Sequence, residues 1–156
     1  MSKLKILPII KHPNPILRKK SENIDISKIN EICSFINNMV ETIKKNKRAA
    51  GLAAPQVGRN IRLILVNNND DIMVMINPVI TKKSWARIVE KEGCLSVGDD
   101  VGDLIYKDVQ RHKKINFIYF NEKGKKIKAV AKDFLARVVQ HEIDHLDGIL
   151  FIDKIN

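Results

Sequence analysis

The residues of this sequence best suited to chemistry are His141, Glu142 and His145, which stand in the stretch HEIDH. Residues four positions apart lie on one face of a helix, so both imidazoles would point the same way, one turn apart. That spacing can hold one cation with tetrahedral geometry. Glu142 is rotated about 100° from His141 and would border the cation, where it could accept a proton from water. The pattern favours a metal-dependent hydrolase, and its alternative is a solvated helix face.

A hydrolytic metal site needs a third protein ligand and an open position for water. The sequence after His145 contains neither a Glu nor a further His, so the third ligand must come from another segment. Cys94 in the stretch EGCLS is the alternative, and Gly93 beside it has no side chain to obstruct a crowded centre. Taken alone, Cys94 would more often be a buried free thiol at the end of a strand than a metal ligand.

A third segment, GLAAPQVG over 51–58, combines small residues with a proline and one amide side chain, that of Gln56. Such a loop can lie close to a reacting centre, where Gln56 could donate its NH2 group to a developing oxyanion. The alternative interpretation is a simple connection between two elements.

Two helices are expected to position these residues. Apolar residues recur every three or four positions from Ser27 onwards, which predicts a helix, and Cys33 lies on this stripe and is expected to be buried. Asp133 as N-cap and Gly148 as stop signal bound a second helix around the HEIDH stretch. Its predicted buried stripe consists of Leu135, Val139, Ile143 and Leu146.

Short apolar runs between the helices predict strands. They fall at 61–66, 71–80, 84–97, 115–120 and 125–132. NNNDD separates the first two runs, and Asn121–Gly124 separates the last two, so both pairs read as hairpins or adjacent strands. A helix, then strands, then a helix favours an α+β fold over regular βαβ alternation. We therefore expect antiparallel β-sheets packed around the C-terminal helix, with an N-terminal helix as well.

The composition fits one globular catalytic domain over residues 1–156, with 44% apolar and 29% charged residues. No apolar run reaches the eighteen or so residues of a membrane helix. Two cysteines make no disulfide framework, which favours a reducing, cytosol-like compartment such as a bacterial-type cytoplasm or an organellar stroma or matrix. The net charge of +10 would help association with RNA-rich particles, or else the charged side chains simply form a solvated surface. The sequence contains no visible nucleic-acid recognition motif.

Taken together, the three segments resemble the peptide deformylase family. GLAAPQVG, EGCLS and QHEIDHLDG occur in the family's order and at about its spacing, and HPNPILRKKS, INPVI and GILFID extend the resemblance over nearly the whole chain. The resemblance implies a hydrolase that removes the formyl group from N-formyl-methionyl nascent peptides and releases formate. It also implies one divalent metal ion, natively Fe2+ and replaceable by Zn2+, Ni2+ or Co2+. A transient association with the ribosome is a separate expectation, which the basic surface would favour.

The resemblance also implies a role for individual residues. Cys94, His141 and His145 would bind the metal, and Glu142 would act as the general acid and base. Gln56 and the backbone N–H of Leu95 would form the oxyanion hole. The implied substrate-binding residues are Ala50, Gly51 and Leu52, which would pair with the peptide as an added strand, and Gly93 and Val138 near the methionine pocket.

Two features depart from the family's usual pattern. Ala49 stands where the family usually has Gly, and Gly98-Asp99-Asp100 replaces the usual Pro-Gly after the cysteine. This acidic loop, with Asp103, is expected to border the cleft and attract basic peptide residues, or else to solvate a long turn. From the residues alone, two other classes stay open. A general metallopeptidase would need neither Cys94 nor Gln56, and a structural metal module would need four protein ligands.

Overall fold

The structure is a computed structural model that describes residues 3–99 and 101–155. The α-helices in these ranges are α1 (Cys33–Lys45) and α2 (Asp133–Leu146). The strands are β1 (Gly51–Ala53), β2 (Leu63–Asn68), β3 (Asp71–Lys83), β4 (Arg87–Glu92), β5 (Lys107–His112), β6 (Lys114–Phe120) and β7 (Lys126–Lys132). Short 3-10 helices lie at Pro15–Arg18, Ile26–Ile32, Ala54–Val57 and Phe151–Lys154.

Five strands form one antiparallel sheet in the order β1-β2-β3-β6-β7, and β4 pairs with β5 in a separate antiparallel ribbon. Both predicted hairpins are present, as β2–β3 and β6–β7. Asn69 and Asp70 connect the first with φ angles of 53° and 68°, the left-handed pair that a two-residue type I′ turn requires. The predicted α+β fold is confirmed.

The large sheet is packed between the two helices. Leu63 and Leu65 of β2 belong to the core under α1, whereas Ile64 and Val66 belong to the core under α2. Successive side chains of a strand point to opposite faces, so a continuous apolar run such as LILV suits a strand that is covered on both sides. The sheet thereby fixes where α2 lies.

Helix α2 is more deeply buried than predicted. Ten of its residues are buried, not only Val139, Ile143 and Leu146 of the predicted stripe, while Leu135 is only partly buried. The sheet covers one side, and the functional site described below occupies the other. Asp133 is not the N-cap: it has a φ of 53° and makes no capping hydrogen bond, and Lys132 precedes the helix. The predicted stop at Gly148 is confirmed by a φ of 73° just beyond the helix end.

The N-terminal helix begins later than predicted, and the prediction for Cys33 is wrong. Residues 26–32 form a 3-10 helix with a kink at Lys28, and α1 starts only at Cys33. The buried residues are Ile29, Ile32, Ile36, Met39, Thr42 and Ile43. Ile32, the last residue of the 3-10 helix, points into the core. The next residue, Cys33, points away from the core and is exposed.

Strand β4 ends at Glu92 and so delivers Gly93 and Cys94 beside α2. Strand β1 lies at the edge of the large sheet, since it pairs only with β2. These two chain segments form the walls on either side of the histidines. Neither α1 nor α2 is long and apolar enough to cross a membrane, and no other helix in the described ranges is.

Candidate metal centre and peptide cleft

The structure brings Cys94, His141 and His145 together. One potential ligand atom from each lies within 4.8 Å of the other two, and the Cys94 Sγ is 3.3 Å from the His145 Nε2. All three side chains are nearly fully buried. The histidines come from one face of α2, and the cysteine comes from the segment after β4, as the sequence predicted. One thiol and two imidazoles are a donor set that suits Zn2+, Fe2+ and related divalent cations.

Other atoms around the centre are arranged as a cation there would require. The Nδ1 of His141 is 2.8 Å from the Glu92 Oε1, which leaves its Nε2 for the centre. The Cys94 Sγ accepts hydrogen bonds from the backbone N–H of Ser96 and from Gln56, both at 3.4 Å, as a thiolate would. The Oε2 of Glu142 is buried without a hydrogen-bond partner in the described part of the chain. These residues fit a bound divalent cation.

Glu92 is the hub of a buried ionic network behind the histidines. It accepts two hydrogen bonds from Arg111, at 2.8 and 2.9 Å, and one of 2.5 Å from Arg137. Arg111 also binds Asp144, which lies on α2 between the two histidines. Burial alone would raise the pKa of Glu92, but the hydrogen bonds from Arg111 and His141 hold it well below its usual range. Glu92 therefore stays ionised and orients His141.

The two histidines have opposite electrostatic environments. Burial alone would lower the pKa of His141, but its hydrogen bonds to Cys94 and Glu92 raise it to about 10. Burial lowers the pKa of His145, and the nearby charges of His141 and Arg111 lower it further. A ligating imidazole must be neutral, so a cation at this centre would replace the proton that His141 otherwise holds.

Glu142 lines the same cavity as Cys94 and His141 but is not one of the three converging donors. Its side chain packs directly on Gly51 of β1, where a Cβ would lie 2.5 Å from the Glu142 Oε1. The residue is buried, and burial raises the pKa of its carboxyl group to about 7, against the lowering effect of His141. A carboxyl group with such a pKa can both accept and release a proton near neutral pH.

The Gln56 side chain is held in one orientation. Its Oε1 accepts a 2.9 Å hydrogen bond from the backbone N–H of Ala53, so its NH2 group points towards Cys94 and Ser96. Leu95 follows the cysteine and lines the same cavity. Both residues predicted to form an oxyanion hole thus line the cavity.

A cavity of about 170 Å³ opens in front of the centre. Among the predicted site residues, Ala50, Gly51, Gln56, Gly93, Leu95 and Val138 line it, together with Cys94, His141 and Glu142. Leu52 does not line it, because its side chain is fully buried in the core under α1. Any role for Leu52 in substrate binding would therefore have to come from its backbone.

Comparison with known proteins identifies the family. The sequence model of polypeptide deformylase matches residues 6–156 of the chain. This chain belongs to the polypeptide deformylase family. The peptide deformylase of Fusobacterium nucleatum is 40% identical over 153 residues, covering 97% of this chain and 84% of that protein. The peptide deformylase of Thermodesulfovibrio yellowstonii is 44% identical over 157 residues, covering 97% and 90%.

Solved deformylase structures have the same fold. The peptide deformylase of Thermotoga maritima superimposes with a TM-score of 0.88 at 33% identity, covering 97% of this chain and 98% of that one. The class I type b enzyme of Acinetobacter baumannii with Met-Ala-Ser bound gives 0.87 at 32% identity, covering 99% and 100%. The predicted family is confirmed, and with it a hydrolase that removes the formyl group from new polypeptides. The family assignment decides against the two alternative function classes.

Of the two expectations for the acidic loop after the cysteine, the structure favours a solvated turn over a border of the cleft. Asp99 is exposed, and its Oδ1 accepts hydrogen bonds within the loop from the backbone N–H groups of Val101 and Asp103 at 3.0 and 2.9 Å. Neither Asp99 nor Asp103 lines the cavity, and Asp100 lies outside the described residues. The loop instead places Leu104 at the cavity wall, where Leu104 forms an isolated antiparallel β-bridge with Gly98.

Sequence reasoning missed several residues of this deformylase site. Arg111 and Arg137 resemble any other cation in a chain with 28 Lys and Arg residues, and only their burial reveals them. Glu92 did carry a signal, since it stands two positions before Cys94 in a stretch already singled out. Tyr106 and Phe134 line the cavity although both are largely exposed, and exposed aromatic residues leave no periodic pattern.

Proposed function

We propose that this deformylase hydrolyses N-formyl-methionyl peptides at the centre formed by Cys94, His141 and His145, with Glu142 as general base. The observation that carries the proposal is the placement of Glu142. It is buried, follows the candidate ligand His141 in the chain, and lines the same cavity as Cys94, His141 and Gln56. We further propose that residues 1–156 act as one catalytic domain.

Cys94, His141 and His145 would hold one divalent cation. When bound, such a cation supplies Lewis acidity and lowers the pKa of water at its open position. We propose Fe2+ as the native ion, because a thiolate donor suits a softer metal, with Zn2+, Ni2+ and Co2+ as substitutes. Glu92 supports the centre by fixing the ring of His141 through Nδ1.

Glu142 moves the protons of the reaction. Its carboxylate accepts a proton from the attacking water molecule, whose oxygen forms a bond to the formyl carbon. Glu142 then gives that proton to the peptide nitrogen as the bond between carbon and nitrogen breaks. The products are formate and a peptide with a free amino terminus. A pKa of about 7 suits both halves of this transfer.

Gln56 and the Leu95 N–H would stabilise the negative charge on the formyl oxygen. Gln56 is already oriented by Ala53, so its NH2 group need not reorganise during the reaction. A preorganised donor of this kind typically lowers the barrier by roughly 3 kcal/mol.

The peptide would bind along the edge strand β1. The backbone of Ala50, Gly51 and Leu52 has β2 on one side only, so it can pair with an extended peptide on the other. The methionine side chain would enter the apolar part of the cavity, where Gly93 and Val138 lie with Leu104, Tyr106 and Phe134.

An anaerobic assay of formate release from formyl-Met-Ala-Ser, combined with metal analysis, tests the proposal. Glu142→Ala should keep the metal and lose activity, because Glu142 is not among the converging donors. Glu122→Ala, in an exposed turn between β6 and β7, is the matched control and should behave as the unmutated chain. Activity of Glu142→Ala within tenfold of the unmutated chain would contradict the assigned role of general base.

We also propose that the enzyme works in a bacterial-type cytoplasm and associates transiently with ribosomes. The net charge of +10 supports an attraction to RNA that salt would screen. Co-sedimentation with ribosomes should be detectable at low ionic strength and should disappear at high ionic strength. Equal co-sedimentation in both conditions would contradict an electrostatic association.

A further inference from the structure

The charged residues that line the cavity fall into two groups. Glu92 and Arg137 are buried and paired with each other, and Glu142 is buried against Gly51. Arg48 and Lys91 are the other two charged lining residues, and both are exposed. The charges accessible to a peptide at the cavity entrance are therefore both positive.

Little in the described part of the chain offsets these two charges. Arg48 has no ion-pair partner within 4.0 Å among residues 3–99 and 101–155. The Lys91 Nζ lies 3.4 Å from the Asp108 Oδ1, but the two side chains are 71% and 55% exposed. Such a pair is weak and is easily exchanged for another partner. The carboxylates of Asp99 and Asp103 do not line the cavity.

The position of Arg48 relative to β1 decides which part of a peptide it can meet. The free edge of β1 begins at Gly51, against which Glu142 packs, so the formylated residue would lie there if Glu142 is the general base. Arg48 precedes Gly51 by three residues. A peptide antiparallel to this segment, with its formylated residue level with Gly51 and its second residue level with Ala50, would bring its third and fourth residues level with Ala49 and Arg48, just before β1. Lys91 faces the same channel from the end of β4 on the opposite wall.

We propose that Arg48 and Lys91 make this enzyme select formyl-methionyl peptides that carry Asp or Glu at the third or fourth position. The inference rests on the proposed function and adds a substrate class to it. It reverses the preference for basic peptides that the acidic loop suggested in the sequence, because the charges at the cavity entrance are cationic.

The test compares C-terminally amidated peptides, formyl-Met-Ala-Xaa-Xaa, in which both Xaa residues are Glu, Gln or Lys. Amidation removes the terminal carboxylate, which would otherwise offer Arg48 and Lys91 an acidic group in every peptide. At low salt, kcat/KM for the Glu peptide should exceed that for the Lys peptide about tenfold. This is the order expected when the charges of Arg48 and Lys91 lie several ångströms from the peptide's charged side chains in a water-like dielectric. The difference should lie mainly in KM, since the charged side chains are remote from the formyl carbon, and 0.5 M salt, at a Debye length of roughly 4 Å, should abolish most of it.

Charge reversal provides the decisive variants. Arg48→Glu with Lys91→Glu should invert the order, so that the Lys peptide becomes the better substrate. The matched control is Lys123→Glu with Lys126→Glu, which changes the net charge equally at the distant β6–β7 turn and should keep the preference for Glu. Arg48→Gln with Lys91→Gln is a milder pair that should bring the Glu/Lys ratio close to one.

Each outcome has a distinct meaning. A Glu/Lys ratio near one in the unmutated enzyme, or a ratio that both Arg48/Lys91 pairs leave unchanged, overturns the inference but leaves the proposed function intact. A ratio that falls equally in the Lys123/Lys126 control would assign the effect to net charge and also overturn it. No formate release from the Gln peptide by the metal-loaded, unmutated chain would refute the proposed function, and the inference with it.

Discussion

The contact between Gly51 and Glu142 allows a sharp test of how precisely the general base must be held. An alanine Cβ at position 51 would lie 2.5 Å from the Glu142 Oε1, 2.6 Å from its Cγ and 2.7 Å from its Cδ. Ordinary contact distances are at least 3.4 Å, so the carboxylate would have to move by about 1 Å. Glu142 is 4% exposed, which leaves it little room to do so beside the metal centre.

The effect of Gly51→Ala should fall on the reaction rather than on the fold. Gly51 is not among the glycines with a positive φ, so an alanine introduces no backbone strain there. A misplacement of about 1 Å of a catalytic group can cost about 100-fold in rate, which corresponds to about 2.7 kcal/mol of barrier. We expect kcat for formate release to fall by that order while metal content and circular dichroism remain unchanged.

Gly93→Ala is the matched control, because its new Cβ would also meet a side chain at close range. The contact is with the Tyr106 ring, 2.6 Å away, but Tyr106 is 51% exposed and can turn outward. Gly93→Ala should therefore affect KM more than kcat. If Gly51→Ala keeps kcat within about threefold of the unmutated enzyme with metal bound, the carboxylate tolerates displacement and the close packing on Gly51 has no catalytic importance.

Three further predictions concern the metal and its support. Cobalt-loaded enzyme should show an intense thiolate-to-metal band in the near ultraviolet, which Cys94→Ser abolishes; no band in the unmutated protein would remove Cys94 from the site. The Fe2+ form should be faster than the Zn2+ form and should lose activity in air, whereas equal rates and equal air stability would argue against native iron. Glu92→Gln should reduce metal affinity about 10- to 100-fold, because His141 loses its orienting partner. In denaturant unfolding without metal, Glu92→Gln should have a free energy of unfolding about 3 kcal/mol lower than the unmutated protein, because Arg111 and Arg137 lose a buried counter-charge. An unchanged unfolding midpoint would contradict this expectation.

The sequence was most informative where a pattern is short in range. Four-residue spacing placed His141 and His145 on one helix face, and short apolar runs separated by turn residues predicted both hairpins. These signals depend on local geometry, which neighbouring residues largely determine. The resemblance to a family then supplied what local geometry could not, the meeting of Cys94 with two histidines more than forty positions away.

The failures have a common physical origin in tertiary context. Cys33 was placed on the buried stripe because the sequence did not show that residues 26–32 wind as a 3-10 helix, which changes the rotation of the next turn. Asp is a residue type that is common at N-caps, yet the backbone of Asp133 is left-handed and its N–H donates to the backbone carbonyl of Lys113. In both cases packing overrode a correct local preference.

The buried charged groups around the histidines are stable because each is paired with a group of opposite charge. Glu92 and Asp144 face Arg111 and Arg137, so two carboxylates and two guanidinium groups balance behind the histidines. A divalent cation would likewise balance the Cys94 thiolate and the Glu142 carboxylate, which makes the centre nearly neutral as a whole. An unbalanced buried charge costs several kcal/mol, so each part of this arrangement depends on the others. Arg48 and Lys91 lie outside that balance, and their charge is therefore available to the peptide.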